Sequence, residues 1–326
     1  MRRVHTLSFV LAAVALLAVG GGVAAADVGG VADASSPTLA SEPPQPATAA
    51  SGPGATSSAT PATCDTGDNT EVVGCWNGTH YEDELSFDQD DGLTEEELEA
   101  LTHLTMARVE HIRERPFREG VPVETVTRAE FANGSMGGGG AGETNGSLSA
   151  SQRWNDQVWE ALFVVGEDTT AAAEIDTVFG GAVSGFYSPA QDRIVLVVPE
   201  GEAVQIDPST LAHELVHGMQ DQYHDLTRPR YVGATQDGDL AVDGIVEGEA
   251  VHIEERYAAR CADNWSCLDG PSGGGGGGGS AADYNFGILQ TVLQPYAEGA
   301  FYVESLVESK GWSAVNETMT DPPEST

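Results

Sequence analysis

Lysine is almost absent from this chain of 326 residues, in which Lys310 is the single example. Lysine and arginine together number 14 against 51 aspartates and glutamates, so the formal net charge is −37. Such a charge argues against nucleic acid or an anionic membrane surface as a partner. At molar salt the Debye length falls to about 3 Å, and neighbouring carboxylates then hardly repel one another. The composition therefore predicts a halophilic protein with a solvated acidic surface.

Cysteine is also scarce, with four residues in the whole chain: Cys64, Cys75, Cys261 and Cys267. Neither pair has the C-x₂-C spacing that is common in zinc sites, so a cysteine-bound metal is disfavoured. In an exported chain an even number of cysteines suggests disulfides, and four cysteines allow three connectivities. The simplest pairing is local, with Cys64 bound to Cys75 and Cys261 bound to Cys267.

The chain lacks an apolar run long enough for a membrane span, which needs roughly 20 residues. The apolar stretch from Leu7 to Val19 is shorter, follows Met1-Arg2-Arg3 and precedes Ala24-Ala25-Ala26. A basic start, an apolar centre and small residues at the end are the features of a secretory signal peptide. We therefore expect removal of residues 1–26 and a secreted, extracellular protein, attached to the cell surface or free, without membrane insertion.

Composition divides the mature chain into three parts. Residues 27–63 are rich in serine, threonine and proline and bury too little apolar surface to fold, which predicts a linker. Residues 64–92 form a short acidic segment that carries one expected disulfide, and residues 93–326 make up one domain. The glycine runs at 137–140 and 273–279 predict flexible surface loops. Sequons for N-glycosylation of a secreted protein begin at Asn77, Asn133, Asn145, Asn264 and Asn316.

Residues 93–326 alternate between helical and extended patterns, which predicts an α+β domain with a small mixed sheet. Thr94-x-x-Glu97 is a capping box at the start of a helix. Residues 185–198 read as a hairpin whose second strand is buried. Asp207-Pro208 is a helix start, with aspartate as N-cap and proline in the first turn. Further predictions are a strand at Val121–Val126 and helices near Trp154–Leu162 and Thr169–Phe179.

The helix that follows Asp207 carries the sequence His213-Glu214-Leu215-Val216-His217. Residues four apart lie on one helical face, so both imidazoles can reach one ion at about 2.0–2.1 Å. Glu214 then lies beside the metal without binding it and is placed to take a proton from an activated water. Chance can produce five such residues in a chain with eight histidines, so the surrounding sequence has to decide.

A catalytic zinc needs a third protein ligand and one open position. The next predicted helix, from Asp239 to about Ala259, offers Glu247 and Glu249, between which helical periodicity does not choose. Gly248 would let this helix approach its neighbour closely. Asp243 lies one turn before Glu247 and is expected to accept the free N–H of a liganding imidazole.

The motifs His213-Glu-x-x-His217 and Glu247-Gly-x-Ala250 resemble those of the gluzincin metallopeptidases. In that family the glutamate of the E-G-x-A motif is the third zinc ligand. The resemblance implies a zincin-like fold, a zinc ion held by His213, His217 and Glu247, Glu214 as the catalytic base, and a polypeptide substrate. The resemblance extends from Leu93 to the C-terminus. This part of the chain is similar to secreted haloarchaeal surface proteins that have the same motif. In such proteins more chain is expected to follow the segment that corresponds to the last residues here. Its further segments are Arg108-Val-Glu-His-Ile, Arg115-Pro-Phe and His217-Gly-Met-Gln-Asp-Gln222.

Two alternatives to a zinc endopeptidase stay open at this stage. The first is a non-catalytic cell-surface or envelope protein that retains a zincin fold and its metal, which the linker and the sequons would suit. The second is an adhesive domain in which the histidine motif arose by accident. The sequence does not identify the group that stabilises the oxyanion: His252, Tyr257 and Tyr302 are the candidates, and each also suits packing or the surface.

Overall fold

The computed structural model of the chain describes residues 11–14, 64, 72–133, 150–198, 201, 203–271 and 284–326. The linker predicted at 27–63, both predicted glycine loops and the sequon at Asn145 lie outside these residues. The chain separates into one unit of residues 1–17 and 64–326 and a second unit of residues 18–63, of which only the first is described.

The described unit is an α+β domain, as predicted. Its larger sheet has the strand order β1-β5-β6-β4 and is mixed, because β6 runs antiparallel to β5 but parallel to β4. The outermost strand, β1, pairs antiparallel with β5 and belongs to the predicted signal peptide. Strands β2 and β3 form a separate two-stranded ribbon. The strands are β1 (Leu11–Val14), β2 (Cys75–Trp76), β3 (Thr79–His80), β4 (Val123–Thr127), β5 (Val183–Ser188) and β6 (Arg193–Val198).

Helices make up most of the remaining described residues, and one face of the sheet packs against the helix that carries the histidine motif. A short 3₁₀ helix, Pro229–Tyr231, follows that helix. None of the described helices combines the length and the apolar character that crossing a membrane requires. The helices are α1 (Glu95–Arg113), α2 (Arg128–Asn133), α3 (Ala150–Ala161), α4 (Ala171–Ala182), α5 (Pro208–His224), α6 (Gln236–Asp263), α7 (Phe286–Lys310) and α8 (Trp312–Thr320).

Capping residues mark the starts of two helices, as predicted from the sequence. Thr94 and Glu97 form the expected capping box at the start of α1. The side chain of Asp207 accepts a hydrogen bond from the backbone N–H of Ser209, with Pro208 as the first residue of α5. The hairpin of β5 and β6 precedes α5, also as predicted. The inward face of α5 is fully buried and consists of Leu211, Leu215, Val216 and Met219.

Both predicted disulfides are present, Cys64–Cys75 and Cys261–Cys267. The second lies beside the buried guanidinium of Arg108, which donates hydrogen bonds to the carbonyls of Tyr81, Asp83 and Ser266. A buried charge is tolerated when its donors are satisfied in this way. Arg108 lies on α1 and therefore holds two segments against that helix: the disulfide loop after α6 and the segment before α1.

Helices α6 and α7 cross at glycines. A Cβ atom at Gly248 would collide with the backbone of Gly299, and a Cβ atom at Gly299 would collide with the carbonyl of Gly244. The close approach expected at Gly248 is therefore confirmed. Helix α7, which the sequence reasoning did not identify, is held against the helix that carries Glu247 and brings Tyr296 to the same region.

Candidate metal centre

Three buried side chains from two helices converge on one point. His213 and His217 lie four residues apart on α5, and Glu247 lies on the neighbouring helix α6. The two histidine Nε2 atoms are 3.1 Å apart, and Glu247 Oε2 lies 3.3 Å from each of them. None of the three side chains is more than 5% exposed. This group could hold a metal ion, and it consists of the three residues named as ligands from the sequence.

The size of this triangle matches tetrahedral zinc. Ligand atoms about 2.0–2.1 Å from a zinc ion lie about 3.3 Å apart at the tetrahedral angle. The observed separations of 3.1, 3.3 and 3.3 Å therefore leave room for one ion with little movement of the side chains.

The outward-facing nitrogen of each imidazole has its own partner. Nδ1 of His213 lies 2.9 Å from Glu254 Oε2, and Nδ1 of His217 lies 2.9 Å from Gln220 Oε1. Both partner atoms are acceptors, so each Nδ1 carries the proton. The expectation that Asp243 accepts the free N–H of a liganding imidazole is therefore wrong: Glu254, two turns beyond Glu247 on α6, and Gln220 occupy these positions.

The protonation pattern makes the centre a site for a cation. With a proton on Nδ1, a neutral imidazole directs the lone pair of Nε2 inward. Two such nitrogens and the oxygen of Glu247 are then three converging acceptors, which repel one another unless a proton or a metal ion lies among them. A metal ion supplies positive charge there, so the donor set fits one.

The pKa values of Glu247 and His213 also indicate that the centre favours positive charge. Burial alone would raise the pKa of Glu247, but the attraction of His217 and hydrogen bonds with both histidines outweigh it and lower that pKa to about 2. Burial would also lower the pKa of His213, but hydrogen bonds with Glu247 and Glu254 outweigh it and raise that pKa well above its usual value. Both shifts favour the charged form of the group, despite burial.

Glu214 and Tyr296 flank the triangle. Glu214 is fully buried, and its Cγ atom lies 3.7 Å from where a Cβ atom would stand on Gly185 of β5. The Tyr296 ring is stacked with that of His213 at 6.1 Å, and its hydroxyl is hydrogen-bonded to Glu247. Burial first, and then the charges of Glu247, Glu214 and Asp243, raise the pKa of Tyr296 well above its usual value. The phenol is therefore neutral and lies among carboxylates beside the metal ligands.

The groups named from the sequence as candidates for stabilising an oxyanion lie elsewhere. Arg108 donates a long hydrogen bond to the Tyr257 hydroxyl, within the buried cluster at the second disulfide. His252 accepts a hydrogen bond from Arg256, and its ring packs edge-on against Trp312. Tyr302 is 46% exposed.

Sequence reasoning missed Gln220, Glu254 and Tyr296. Two of them carry a usable signal, since Gln220 lies three residues after His217 and Glu254 seven residues after Glu247, both spacings that return to the same helical face. Tyr296 has no such signal, because its place depends on how α7 packs against α6.

No protein-family model, curated protein or solved structure matches this chain. The chemistry of the centre is therefore inferred from its own residues and their geometry.

Proposed function

We propose that this protein is a secreted zinc-dependent metallohydrolase, and specifically an endopeptidase of the gluzincin type with a zincin-like fold. The observation that carries the proposal is the triangle of ligand atoms from His213, His217 and Glu247, with the buried Glu214 beside it. The carboxylate of Glu214 supplies the general base that a purely structural metal site would not need.

Zinc is the metal that fits this donor set best. Two imidazoles and one carboxylate are ligands that zinc accepts in a tetrahedral arrangement with one position open. Calcium and magnesium prefer six or more oxygen ligands, which two histidines do not provide. The separations of 3.1–3.3 Å between ligand atoms agree with zinc–ligand bonds of ordinary length.

Glu214 and Tyr296 are the residues to which we assign chemistry. When bound, zinc supplies Lewis acidity, which makes water a stronger acid and polarises a carbonyl group. The carboxylate of Glu214 accepts the proton that an attacking water loses and then delivers it to the departing amine. The neutral hydroxyl of Tyr296 donates its single hydrogen to Glu247 in this structure and would turn to donate it to the oxygen on which negative charge develops.

The edge of β5 offers a place for an extended polypeptide. Strand β1 pairs antiparallel with β5 there, with Ala13 opposite Gly185. Because β1 belongs to the predicted signal peptide, its removal would leave the outer backbone groups of β5 available to another strand. Extended peptides commonly add to sheet edges in this way. A substrate on this edge would pass Gly185 and therefore lie close to Glu214.

Replacement of Glu214 by glutamine tests the proposal. Glu214→Gln keeps the volume but removes the base, so peptide hydrolysis should fall by at least about 100-fold while zinc content stays at the wild-type level. Hydrolysis of an unfolded protein substrate is measured in multimolar salt with zinc-loaded chains, and the exposed Glu160→Gln variant serves as the matched control. Hydrolysis that survives Glu214→Gln would contradict the assignment. Full zinc occupancy without hydrolysis of any peptide by the wild type would favour the non-catalytic surface protein.

A further inference from the structure

Gln220 connects a residue of the metal centre to a buried ion pair. It lies on α5 three residues after His217 and is only 2% exposed. Its Oε1 atom is 2.9 Å from Nδ1 of His217. Its Nε2 atom donates to the carbonyl of Val246 and to Oε2 of Glu249, both at 2.9 Å. All of the hydrogen-bonding atoms of this side chain are therefore engaged within the protein interior.

The partners of Gln220 fix which way its amide faces. The carbonyl of Val246 has no hydrogen to donate, and neither has the carboxylate of Glu249 when ionised. The carboxylate of Glu249 forms a buried ion pair with Arg113, so it accepts hydrogen bonds from its neighbours. The amide nitrogen must therefore face Val246 and Glu249. The oxygen of Gln220 is left to face His217, where it can only accept.

Glu249 is itself held from a third helix. Arg113 of α1 forms an ion pair with Glu249, and the two side chains are 2% and 4% exposed. The same guanidinium donates to Asn316 Oδ1 at 2.5 Å and lies 4.3 Å from the ring of Trp312, both on α8. A buried ion pair generally stabilises a fold no more than apolar residues of the same volume would. Here the pair also holds the carboxylate of Glu249 where it accepts a hydrogen bond from the amide of Gln220.

We propose that Gln220 is a positioning residue for the metal, which holds His217 with its proton on Nδ1 and its Nε2 lone pair directed at the ion. The inference rests on the metal site of the proposed function and deepens it. Only an amide meets both requirements at this position. A carboxylate at position 220 would place an acceptor against the carbonyl of Val246 and the carboxylate of Glu249, and an apolar side chain would leave Nδ1 of His217 without its acceptor.

The two histidines are therefore positioned by different chemistry. His213 is paired with Glu254, a carboxylate whose side chain is 31% exposed, whereas His217 is paired with a neutral and buried amide. Water can replace an exposed partner but cannot easily reach a buried one. Loss of Gln220 should consequently weaken metal binding by more than loss of Glu254 does.

Zinc affinity and the protonated nitrogen of His217 test the inference without relying on activity. The variant Gln220→Met keeps the volume and removes the amide, and Gln222→Met on the same helix is the matched control, since Gln222 contacts the backbone of Arg118 and Glu119 instead. Competition with a chromophoric chelator should show zinc binding weakened by about 10- to 100-fold in Gln220→Met, less in Glu254→Ala, and not in Gln222→Met. In zinc-loaded wild type, long-range ¹H–¹⁵N correlation should find the proton of His217 on Nδ1 and the metal on Nε2.

The outcomes separate this inference from the proposed function. About one zinc per wild-type chain, with equal affinity in Gln220→Met, would overturn the role of Gln220 and leave the metal site standing. Metal on Nδ1 of His217 in the wild type would overturn it as well, and this measurement decides the matter even if Gln220→Met does not fold. A wild-type chain that binds no zinc would overturn both proposals.

Discussion

Oε2 of Glu247 lies 3.3 Å from Nε2 of His213, although the two residues belong to different helices and are 34 positions apart in the sequence. This distance depends on how closely α5 and α6 pack, because each side chain is fixed to its own helix. The position of α6 depends in turn on α7, which it meets at Gly248 and Gly299. The geometry of the metal centre is therefore sensitive to substitutions that touch none of its ligands.

The glycine crossing gives a first prediction. A methyl group at position 248 has no room against the backbone of Gly299, so Gly248→Ala should move α7 away and lower the free energy of unfolding by about 1–3 kcal/mol. Gly244→Ala is the matched control, because a Cβ atom there meets nothing within 4 Å. It should be neutral or slightly stabilising, since alanine favours helix over glycine by about 1 kcal/mol. Chemical denaturation measures both, and equal effects of the two variants would contradict the packing described.

Tyr296 gives a second prediction. Tyr296→Phe removes the hydroxyl but keeps the ring stacked with His213, so zinc content should stay unchanged while kcat for peptide hydrolysis falls by at least about tenfold. Tyr302→Phe, on the same helix and 46% exposed, should leave both quantities at wild-type values. Full activity in Tyr296→Phe would remove this residue from the proposed mechanism, and loss of zinc would show instead that its hydrogen bond to Glu247 supports the metal.

These residues also show what the sequence could and could not predict. The pairing of His213 with His217 follows from helical spacing, and the start of their helix follows from Asp207 and Pro208, because both are local properties. Glu247 came from a family pattern, since Glu249 lies only two positions away and the choice between them depends on tertiary packing. In the structure Glu249 faces Arg113, not the metal centre.

Helix α7 was missed for an identifiable reason. It follows a glycine run, and Pro295 lies within it, although proline usually ends or kinks a helix. Tyr296 comes directly after that proline and reaches the metal centre only because glycines let α7 approach α6 closely. Neither the crossing partner nor its angle is encoded in a short stretch of sequence, so the contribution of Tyr296 could not be foreseen.

The buried carboxyl group of Glu110 gives a third prediction, on pH. Burial raises the pKa of Glu110 to about 7 from its usual 4.5, although hydrogen bonds from the backbone N–H groups of Phe117, Gly74 and Cys75 oppose the shift. The folded state thus keeps a proton that the unfolded state releases, and stability falls as pH rises from about 4.5 through about 7. This single group can change the free energy of unfolding by up to about 3 kcal/mol, at about 1.4 kcal/mol per pKa unit.

The comparison of wild type with Glu110→Gln isolates that effect. Burial also lowers the pKa of His224 to about 4, and this shift acts in the opposite direction over the same pH range. The measured quantity is therefore the difference in the free energy of unfolding between the two proteins from pH 5 to pH 8. As pH rises, Glu110→Gln should become more stable relative to wild type. A difference that does not vary with pH would contradict the raised pKa.

The surplus of acidic residues gives a fourth prediction. With 51 carboxylate residues against 14 basic ones, mutual repulsion should destabilise the folded chain in dilute buffer. Raising sodium chloride from about 0.2 M to about 3 M reduces the Debye length to less than the value of about 3 Å that holds at 1 M and should raise Tm. Sucrose at matched osmolality is the control, because it does not screen charge. A Tm that is constant or falls with salt would argue against the halophilic interpretation.

Zinc content measures the central claim most directly. Elemental analysis is carried out on wild type, His217→Ala, Glu247→Ala and the control His80→Ala, which replaces a histidine outside the metal centre, all purified in multimolar salt without chelators and then supplied with zinc. The account predicts about one zinc per chain in wild type and His80→Ala and none in the other two variants. Wild type without zinc, or zinc retained in both His217→Ala and Glu247→Ala, would contradict it.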